Sequence, residues 1–396
     1  MQVTNTTRTI LMFIALLILG KCILSVIHTV IEIDTTKNIP DAIILSTCIL
    51  ICLLHIKGKS KKLSICILLG FFTTLVITLL SAYANDGNHI SAIKTSSTIF
   101  SPLLLFAALV SITQDYTPPL ISISKKLLIA TSLIIITASF TLPTSQNRLI
   151  ERLPVIFENL HTTAYMVLSL AFLSISLLLC RRRENNPKIL NLTQPIYLLI
   201  FLATSLILTF GWGVRTTMFS LLVFILTIFI KNLNNLLIKN TLFSLTLAAL
   251  TLLFLAPLLI STDAAWIDDL GSGRISMYIT KMELIASRDI LTFLIGSGPD
   301  SDLVQNSRWW WEAKGSHNDY ITILFEYGAF LFILLVQFFI LFIKYLEGKY
   351  SQALMLSYLS TSLISNGYID RPLPAYFLAL ALYNLYIVEK NAKETS

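Results

Sequence analysis

Two ionisable side chains in the segment KGSHNDYITILFEYG, His317 and Asp319, have the chemistry of an acid–base site. A histidine titrates near neutral pH, so a water-accessible His317 can take a proton from an attacking hydroxyl group, and Asp319 can orient it. The alternative is that His317 only hydrogen-bonds the chain at a helix N-terminus, because Ser316, Asn318 and Asp319 are all good capping residues. The sequence leaves both interpretations open.

Two arginines have the chemistry needed to bind an anion. Arg215 stands between apolar runs in FGWGVRTTMF, where a cation is energetically expensive and therefore indicates a function. Arg274 follows a Gly-Ser-Gly turn. A guanidinium group presents its donors in a planar fork that matches phosphate, so we predict that both arginines contact a phosphate-bearing ligand. Structural alternatives are a snorkelling or ion-paired Arg215 and a solvated Arg274.

Aromatic and further charged residues complete the candidate site. The run of Trp309, Trp310 and Trp311 predicts either an aromatic belt at the lipid headgroups or a platform for pyranose rings. Asp370 and Arg371, in NGYIDRPLP, form either a local pair that caps the bundle or part of the site. The residues predicted to bind substrate are Trp309, Trp310, Trp311, Asn318, Asp319, Arg288 and Arg371. For Arg288, as for Arg308 and Lys314, the alternative is a plain surface charge.

An apolar framework must hold these residues. Of the 396 residues, 55% are hydrophobic and only 13% are charged, with a mean hydropathy of +0.77. An ordinary globular domain is about a quarter charged, so a soluble fold is excluded. Apolar runs that are too long for period-two alternation exclude an outer-membrane barrel. The composition predicts an all-α integral membrane protein with about 12 transmembrane helices.

The apolar runs predict twelve spans. Nine lie within residues 1–261 and three within residues 320–396, which end in a cytoplasmic tail, with a long loop at residues 262–319 between them. The predicted spans are 10–33, 42–56, 63–84, 97–113, 127–143, 162–180, 189–212, 216–230, 241–261, 320–343, 353–366 and 375–388.

The basic residues assign the loops to sides of the membrane. The net charge is +7, and with a cytoplasmic N-terminus 17 of the 29 Lys and Arg residues lie on the cytoplasmic side and 11 on the other. The short connections KGKSKK and CRRRENNPK dominate the cytoplasmic set, in agreement with the positive-inside rule. Both termini are therefore predicted to be cytoplasmic, and the excess charge does not indicate a nucleic-acid partner.

The 58 residues from Thr262 to Asp319 form the long loop on the outer side. Loops of this length are usually functional or disordered, and its aromatic residues predict that it is folded. The segment SGRISMYITKMELIAS has apolar residues near helical spacing and predicts an amphipathic helix on the outer membrane surface. The later segment IGSGPDSD predicts a turn.

Cysteine and histidine positions bear on cofactors. All five cysteines lie inside or at the ends of apolar runs, and no loop carries Cys or His at metal-ligand spacing. The sequence therefore predicts no disulfide framework, no metal site and no cofactor.

Taken together, these motifs resemble the O-antigen ligase and O-antigen polymerase superfamily of bacterial inner-membrane glycan transferases. The similar features are about twelve spans, an arginine at an outer helix end, an arginine early in the long loop, and a His-Asn pair before the next span. His317 and Asn318 are followed by nine residues and Gly328, as in the ligase pattern, whereas Leu331 departs from its last position. The sequence-level likeness covers about residues 206–330.

The resemblance implies transfer of a glycan from undecaprenyl diphosphate to an acceptor hydroxyl on the periplasmic face. His317 would be the general base, and Arg215 and Arg274 would stabilise the leaving diphosphate without a metal ion. The acceptor would be the lipid A core for a ligase or a second lipid-linked repeat for a polymerase. The stretches ERLPVIFENLHTTAYMVL and GVRTTMFSLLVF favour the ligase, whereas the short loop is more typical of a polymerase. A lipid or polysaccharide transporter is the third interpretation.

Overall fold

A computed structural model describes most of the chain as helix. The described residues are 5–31, 38–55, 60–113, 118–143, 145–147, 150–184, 199, 203–205, 207, 214–229, 274–304, 315–346, 348–364 and 366–394. The strands in these ranges, β1 (Ser145–Asn147) and β2 (Ile150–Arg152), form one short antiparallel hairpin in which Gln146 is opposite Glu151. The prediction of an α-helical membrane protein is thus confirmed at the level of fold class.

The helices are numbered here in chain order. They are α1 (Asn5–Ile31), α2 (Ile39–Leu54), α3 (Lys61–Ala84), α4 (His89–Thr113), α5 (Pro118–Thr141), α6 (Leu160–Glu184), α7 (Arg215–Phe229), α8 (Arg274–Ala286), α9 (Ile290–Ile295), α10 (Asp319–Leu346), α11 (Lys349–Ile364), the 3₁₀ helix η1 (Tyr368–Asp370) and α12 (Pro372–Glu394).

Seven described helices, namely α1, α3, α4, α5, α6, α10 and α12, are long and apolar enough to cross a membrane. The apolar helices α2 and α7 are shorter. Ten of the predicted spans overlap a described helix, whereas most of 189–212 and all of 241–261 lie outside the described residues. The structure therefore supports a membrane-embedded protein, and the total of twelve spans stays a prediction.

The centre of the bundle is formed by α4, α6 and α12, which are buried around most of their surface. Helix α12 packs against both α6 and α4, while α3 packs on α4 and α11 packs on α7. By contrast, α1, α3 and α5 each leave a wide apolar face exposed, as expected of helices that border lipid. Small residues such as Ala375 and Ala381 allow close approach at the centre.

One end of the bundle collects the polar contacts between distant helices, and we call it the loop end. There Ser81 at the end of α3 donates to the carbonyl of Glu326 in α10 (3.0 Å). At the same end, the Tyr376 hydroxyl at the start of α12 donates to the Asp41 carboxylate at the start of α2 (3.1 Å). Helices α8 and α9 also lie at this end, because both contact the first part of α10. Tyr278 of α8 donates to the His317 carbonyl directly before α10, and the Leu294 carbonyl of α9 lies against Gly328.

Lys21, the cation that the sequence places inside a span, is 3% exposed and ion-paired at the loop end. Its ammonium nitrogen lies 2.8 Å from Asp41 and 3.8 Å from Glu158, which also accepts from Ser25 (3.2 Å). The group ties α1, α2 and the segment before α6 together. A buried membrane cation is thus compensated by neighbouring carboxylates, as the energetics require.

Candidate functional site

His317 lies directly before α10 in a backbone conformation that few residues adopt. Its φ angle is +50°, in the left-handed region, where histidine is tolerated better than most non-glycine residues. The side chain is half-buried. Its carbonyl accepts a hydrogen bond from the hydroxyl of Tyr278 in α8 (3.4 Å), so the amphipathic helix of the loop contacts the backbone of the proposed base.

The N-terminus of α10 is capped by Asn318. The Asn318 side-chain oxygen accepts from the amides of Tyr320 (3.0 Å) and Ile321 (3.1 Å), while its amide group donates to the carbonyl of Leu363 in α11 (2.7 Å). These bonds satisfy donors that every helix start leaves without an intrahelical partner. Asn318 is thus the N-cap of α10, and its contact with substrate stays a prediction.

A buried carboxylate fixes the chain on the other side of His317. Asp302 accepts from the backbone amide (2.7 Å) and hydroxyl (2.9 Å) of Ser316 and from the Thr322 hydroxyl (2.8 Å). Its second oxygen lies 2.9 Å from the ammonium nitrogen of Lys281 in α8, which is 0% exposed. Since Ser316 precedes His317 and Thr322 follows it, one carboxylate holds both sides of the histidine.

Sequence reasoning missed the Lys281–Asp302 pair. In the sequence, Lys281 is one of several basic residues of the long outer loop, and Asp302 lies in the segment IGSGPDSD. A signal was present, because Lys281 falls three residues after Tyr278 and four before Ile285, on the apolar face of α8. A charge on the apolar face of an amphipathic helix indicates a buried partner.

Asp319 and Arg371 hold the same short connection between α11 and α12. The Asp319 carboxylate accepts from the Ser362 hydroxyl (2.5 Å) and the Gly367 amide (2.8 Å). Arg371 donates to the carbonyls of Gly367 (2.9 Å) and Asn366. The bonds of Asp319 to α11 and Gly367 give it a structural role, and its orienting of His317 and its contact with substrate stay predictions.

Buried polar atoms collect beside this connection. The hydroxyl of Tyr165 in α6 and that of Thr216 in α7 lie near one another, and each is fully or almost fully buried. The Arg371 guanidinium lies 5.2 Å from the centre of the Tyr165 ring. The Tyr165 hydroxyl also lies near Thr361, and, among the described residues, the Arg371 Nε has no hydrogen-bond partner. A buried donor of this kind calls for an ordered water, an ion or a functional role.

The two predicted anion-binding arginines each begin a helix. Arg215 is the first residue of α7, directly before Thr216, and Arg274 is the first residue of α8, one helical turn before Tyr278. Their side chains lie outside what the structure describes, as do residues 305–314, which contain Trp309, Trp310, Trp311, Arg308 and Lys314. The predicted roles of these residues therefore stay predictions.

Arg288 is packed against α10 and is not a plain surface charge. Its guanidinium carbon lies 3.8 Å from the centre of the Phe325 ring, and one of its terminal nitrogens donates to the Phe325 carbonyl (2.9 Å). Burial lowers the pKa of Arg288 from its ordinary value. This geometry makes Arg288 a packing residue for α10, and its substrate contact stays a prediction.

The carbonyl that Arg288 contacts is available because α10 is broken at Gly328. Gly328 has φ +77° and ψ 176°, and a methyl group on it would overlap the carbonyl of Leu294. The chain after α9 fills the break, because the amides of Ser297 and Gly298 donate to the carbonyls of Phe325 (3.1 Å) and Glu326 (2.9 Å). Close backbone contact at positive φ requires glycine here.

The break gives a physical meaning to the spacing between His317 and Gly328. Both residues have positive φ angles, and they bound the short first segment of α10. The loop end therefore presents a rigid platform that carries His317, flanked by α8, the start of α7 and the η1 connection.

Within the described part of the chain, no three His, Cys, Asp or Glu side chains are arranged to hold a metal ion.

No protein-family model matches this chain, and no curated protein matches it. The resemblance to O-antigen transferases therefore depends on the motifs quoted above.

Proposed function

We propose that the chain is an O-antigen ligase of the bacterial inner membrane. It would transfer a glycan from undecaprenyl diphosphate to a hydroxyl group of the lipid A core on the periplasmic face. The observation that carries the proposal is the entry to α10, where Asn318 and Asp302 hold the backbone on both sides of His317. A general base needs this kind of preorganised support.

In the proposed reaction, the acceptor oxygen attacks the anomeric carbon of the donor sugar. The bond from that carbon to the diphosphate oxygen breaks as the new glycosidic bond forms, so the configuration inverts. The proton of the acceptor hydroxyl passes to the His317 ring, and the electron pair of the broken bond leaves with the diphosphate. The place of His317 beside a membrane-spanning helix suits an encounter between a lipid-embedded donor and a water-exposed acceptor.

The leaving diphosphate develops negative charge that must be stabilised. The proposal assigns this role to Arg215 and Arg274, at the first residues of α7 and α8. A helix N-terminus adds a partial positive charge and unpaired amide groups, so both positions favour an anion. Substitution of either arginine by lysine keeps the charge but loses the bidentate fork, and we expect Arg215→Lys to transfer glycan poorly at normal protein abundance.

The test is the lipopolysaccharide pattern of a strain that lacks the protein. Loss of a ligase leaves bare lipid A core and accumulates lipid-linked polymer, and complementation by His317→Asn should fail although the protein is present. A normal lipopolysaccharide ladder in the deletion strain would overturn the proposal.

The second candidate is an O-antigen polymerase, which would use the same chemistry on a second lipid-linked repeat. The observation that favours it is the loop of 58 residues between Thr262 and Asp319, which is short for a ligase. The same deletion strain separates the two functions. A polymerase mutant retains core that carries a single repeat, whereas a ligase mutant carries none.

A further inference from the structure

Helix α9 is apolar and yet has no buried residue. Ile290, Leu291 and Leu294 are 80%, 65% and 43% exposed, and their spacing puts them on one face of the helix. The opposite side is half-buried through Phe293 and packs on α10. Three large aliphatic side chains in water on a six-residue helix would be unfavourable, so this face needs a partner.

The contacts of the turn after α9 fix its level along the bundle. The Gly296 carbonyl accepts from the Asn85 side chain at the end of α3 (3.4 Å), and Asp300 accepts from the Ser91 hydroxyl in the first turn of α4 (2.8 Å). A Cβ on Gly87, in the connection between these helices, would lie 2.9 Å from Pro299. Helix α9 therefore lies level with the ends of two membrane-spanning helices.

The helices at this level also turn apolar residues outward. Leu80 and Tyr83 of α3, Ile90 of α4 and Phe330 of α10 are all exposed. These residues belong to helices long and apolar enough to cross a membrane, so their outward faces meet lipid. The exposed face of α9 therefore lies at the same level as apolar residues at the ends of the membrane-spanning helices α3 and α4.

We propose that the face formed by Ile290, Leu291 and Leu294 is an interfacial anchor that inserts into the lipid of the adjacent leaflet. Apolar side chains at this depth enter the boundary between headgroups and acyl chains, as in other interfacial helices. The partner is the bilayer itself. The inference does not depend on any enzymatic activity of the protein.

The anchor is coupled to the region that carries His317. The end of α9 contacts the break in α10, because Gly328 lies against the Leu294 carbonyl and Ser297 donates to Phe325 (3.1 Å). Arg288, two residues before α9, lies over the Phe325 ring, three residues before the break. Lipid contact by α9 therefore holds the first segment of α10 at a defined depth.

The test is site-directed spin labelling of the full-length protein in lipid nanodiscs made of phosphatidylethanolamine and phosphatidylglycerol. The background variant is Cys66→Ser, because Cys66 is the exposed cysteine and the other four are buried. Labels are attached in the separate variants Ile290→Cys and Leu291→Cys, whose native side chains are exposed, so neither change disturbs the packed interior. The matched control is Glu283→Cys, an exposed polar position of α8.

Collision rates with oxygen, which partitions into lipid, and with a water-soluble nickel chelate report the environment of each label. We expect oxygen collisions to exceed nickel collisions several-fold at positions 290 and 291, and the reverse at position 283. Nickel access at 290 and 291 equal to that at 283 would place α9 in water and overturn the proposal. Low collision rates with both reagents would show that protein, such as a second copy of the chain, covers the face, which also overturns it.

Discussion

The two segments of α10, on either side of Gly328, are held in place by different forces. Residues 319–327 are held by directional polar bonds from Asn318, Asp302 and the turn after α9. Residues 329–346 are held by aromatic packing, in which Phe338 lies 5.1 Å from Phe100 and Phe342 lies 5.7 Å from Phe106 between ring centres.

The two segments differ in how much movement their contacts tolerate. Helix packing in lipid depends on shape and dispersion forces, which tolerate small shifts of a side chain. Hydrogen bonds to a buried carboxylate tolerate little movement, and leaving one donor unpaired is costly. The polar segment is also bounded at its two ends by residues with positive φ angles, His317 and Gly328. Precise polar support and strain together are typical of functional sites.

The largest expected effect is the loss of catalysis in His317→Asn. Asparagine adopts positive φ readily, so the backbone and protein abundance should be preserved while the base is removed. Loss of a general base lowers the rate by about 10²–10⁴-fold and should abolish the acid limb of the pH–rate profile. Glycan transfer by purified protein measures both, and near-normal turnover per molecule would place the base elsewhere.

The next effect is a loss of stability in Asp302→Asn. The substitution leaves the fully buried Lys281 without its charge partner, which typically costs about 3–5 kcal/mol. The matched control is Asp300→Asn, two residues earlier, where the carboxylate is exposed and asparagine tolerates the φ of +64°.

Thermal unfolding in detergent or nanodiscs measures the two variants side by side. We expect a clear drop in midpoint for Asp302→Asn and a small change for Asp300→Asn. Equal midpoints would show that the pair does not support the first segment of α10.

A further loss of stability is expected where the two segments of α10 meet. Gly328→Ala forces an L-residue into a backbone conformation that is essentially restricted to glycine, at about 1–3 kcal/mol, and adds a methyl group against the Leu294 carbonyl. Gly20→Ala is the control, because Gly20 lies inside α1 with open space around its Cβ position and alanine favours helix. The thermal unfolding midpoint should fall for Gly328→Ala and stay the same or rise for Gly20→Ala. The opposite order would show that the break in α10 does not require glycine at position 328.

The smallest effect concerns the N-cap of α9. Asp289 accepts from the Leu291 amide (2.9 Å), the Thr292 amide (3.0 Å) and the Thr292 hydroxyl (2.6 Å), and these bonds, chiefly those from Thr292, hold its pKa below the ordinary value. A carboxyl group whose pKa is lower in the folded state stabilises α9 above its unfolded-state pKa. That contribution is lost as the pH falls through the folded-state pKa.

Mobility of a spin label at Ile290→Cys should therefore increase as the medium is acidified from neutral pH. The same label in Asp289→Asn, which cannot titrate at this position, provides the control. An identical acid response in both backgrounds would exclude Asp289 as its source.

Much of the fold could be predicted because its causes are local. Long apolar runs predicted helices that overlap α1 to α7 and α10 to α12, and the spacing of Ile275, Tyr278 and Met282 predicted the amphipathic helix α8. The turn at Gly296 and Gly298 was predicted from its residue types and is confirmed by their positive φ angles. Its role could not be predicted, since that depends on close backbone contact between Gly296 and Gly328, which are distant in the chain.

The candidate site was predictable only in part. His317 and Asn318 are adjacent in sequence, so their place at the start of α10 follows from local pattern, but the choice of Asn318 as the cap depends on its side-chain bonds. The partner of Lys281 and the orientation of Arg288 were not predictable, because Asp302 and Phe325 reach them through the folding of separate segments.

Hydropathy and capping act over a few neighbouring residues, so they are enough to predict a helical chain that lies in a membrane and carries His317 at the start of a span. Contacts between distant segments establish that Asp302 holds the chain on both sides of His317, that the Asp319 carboxylate accepts from the Gly367 amide, and that α10 breaks at Gly328. Each of these arrangements is a contact between residues distant in the chain, whose energy depends on burial that no local pattern records.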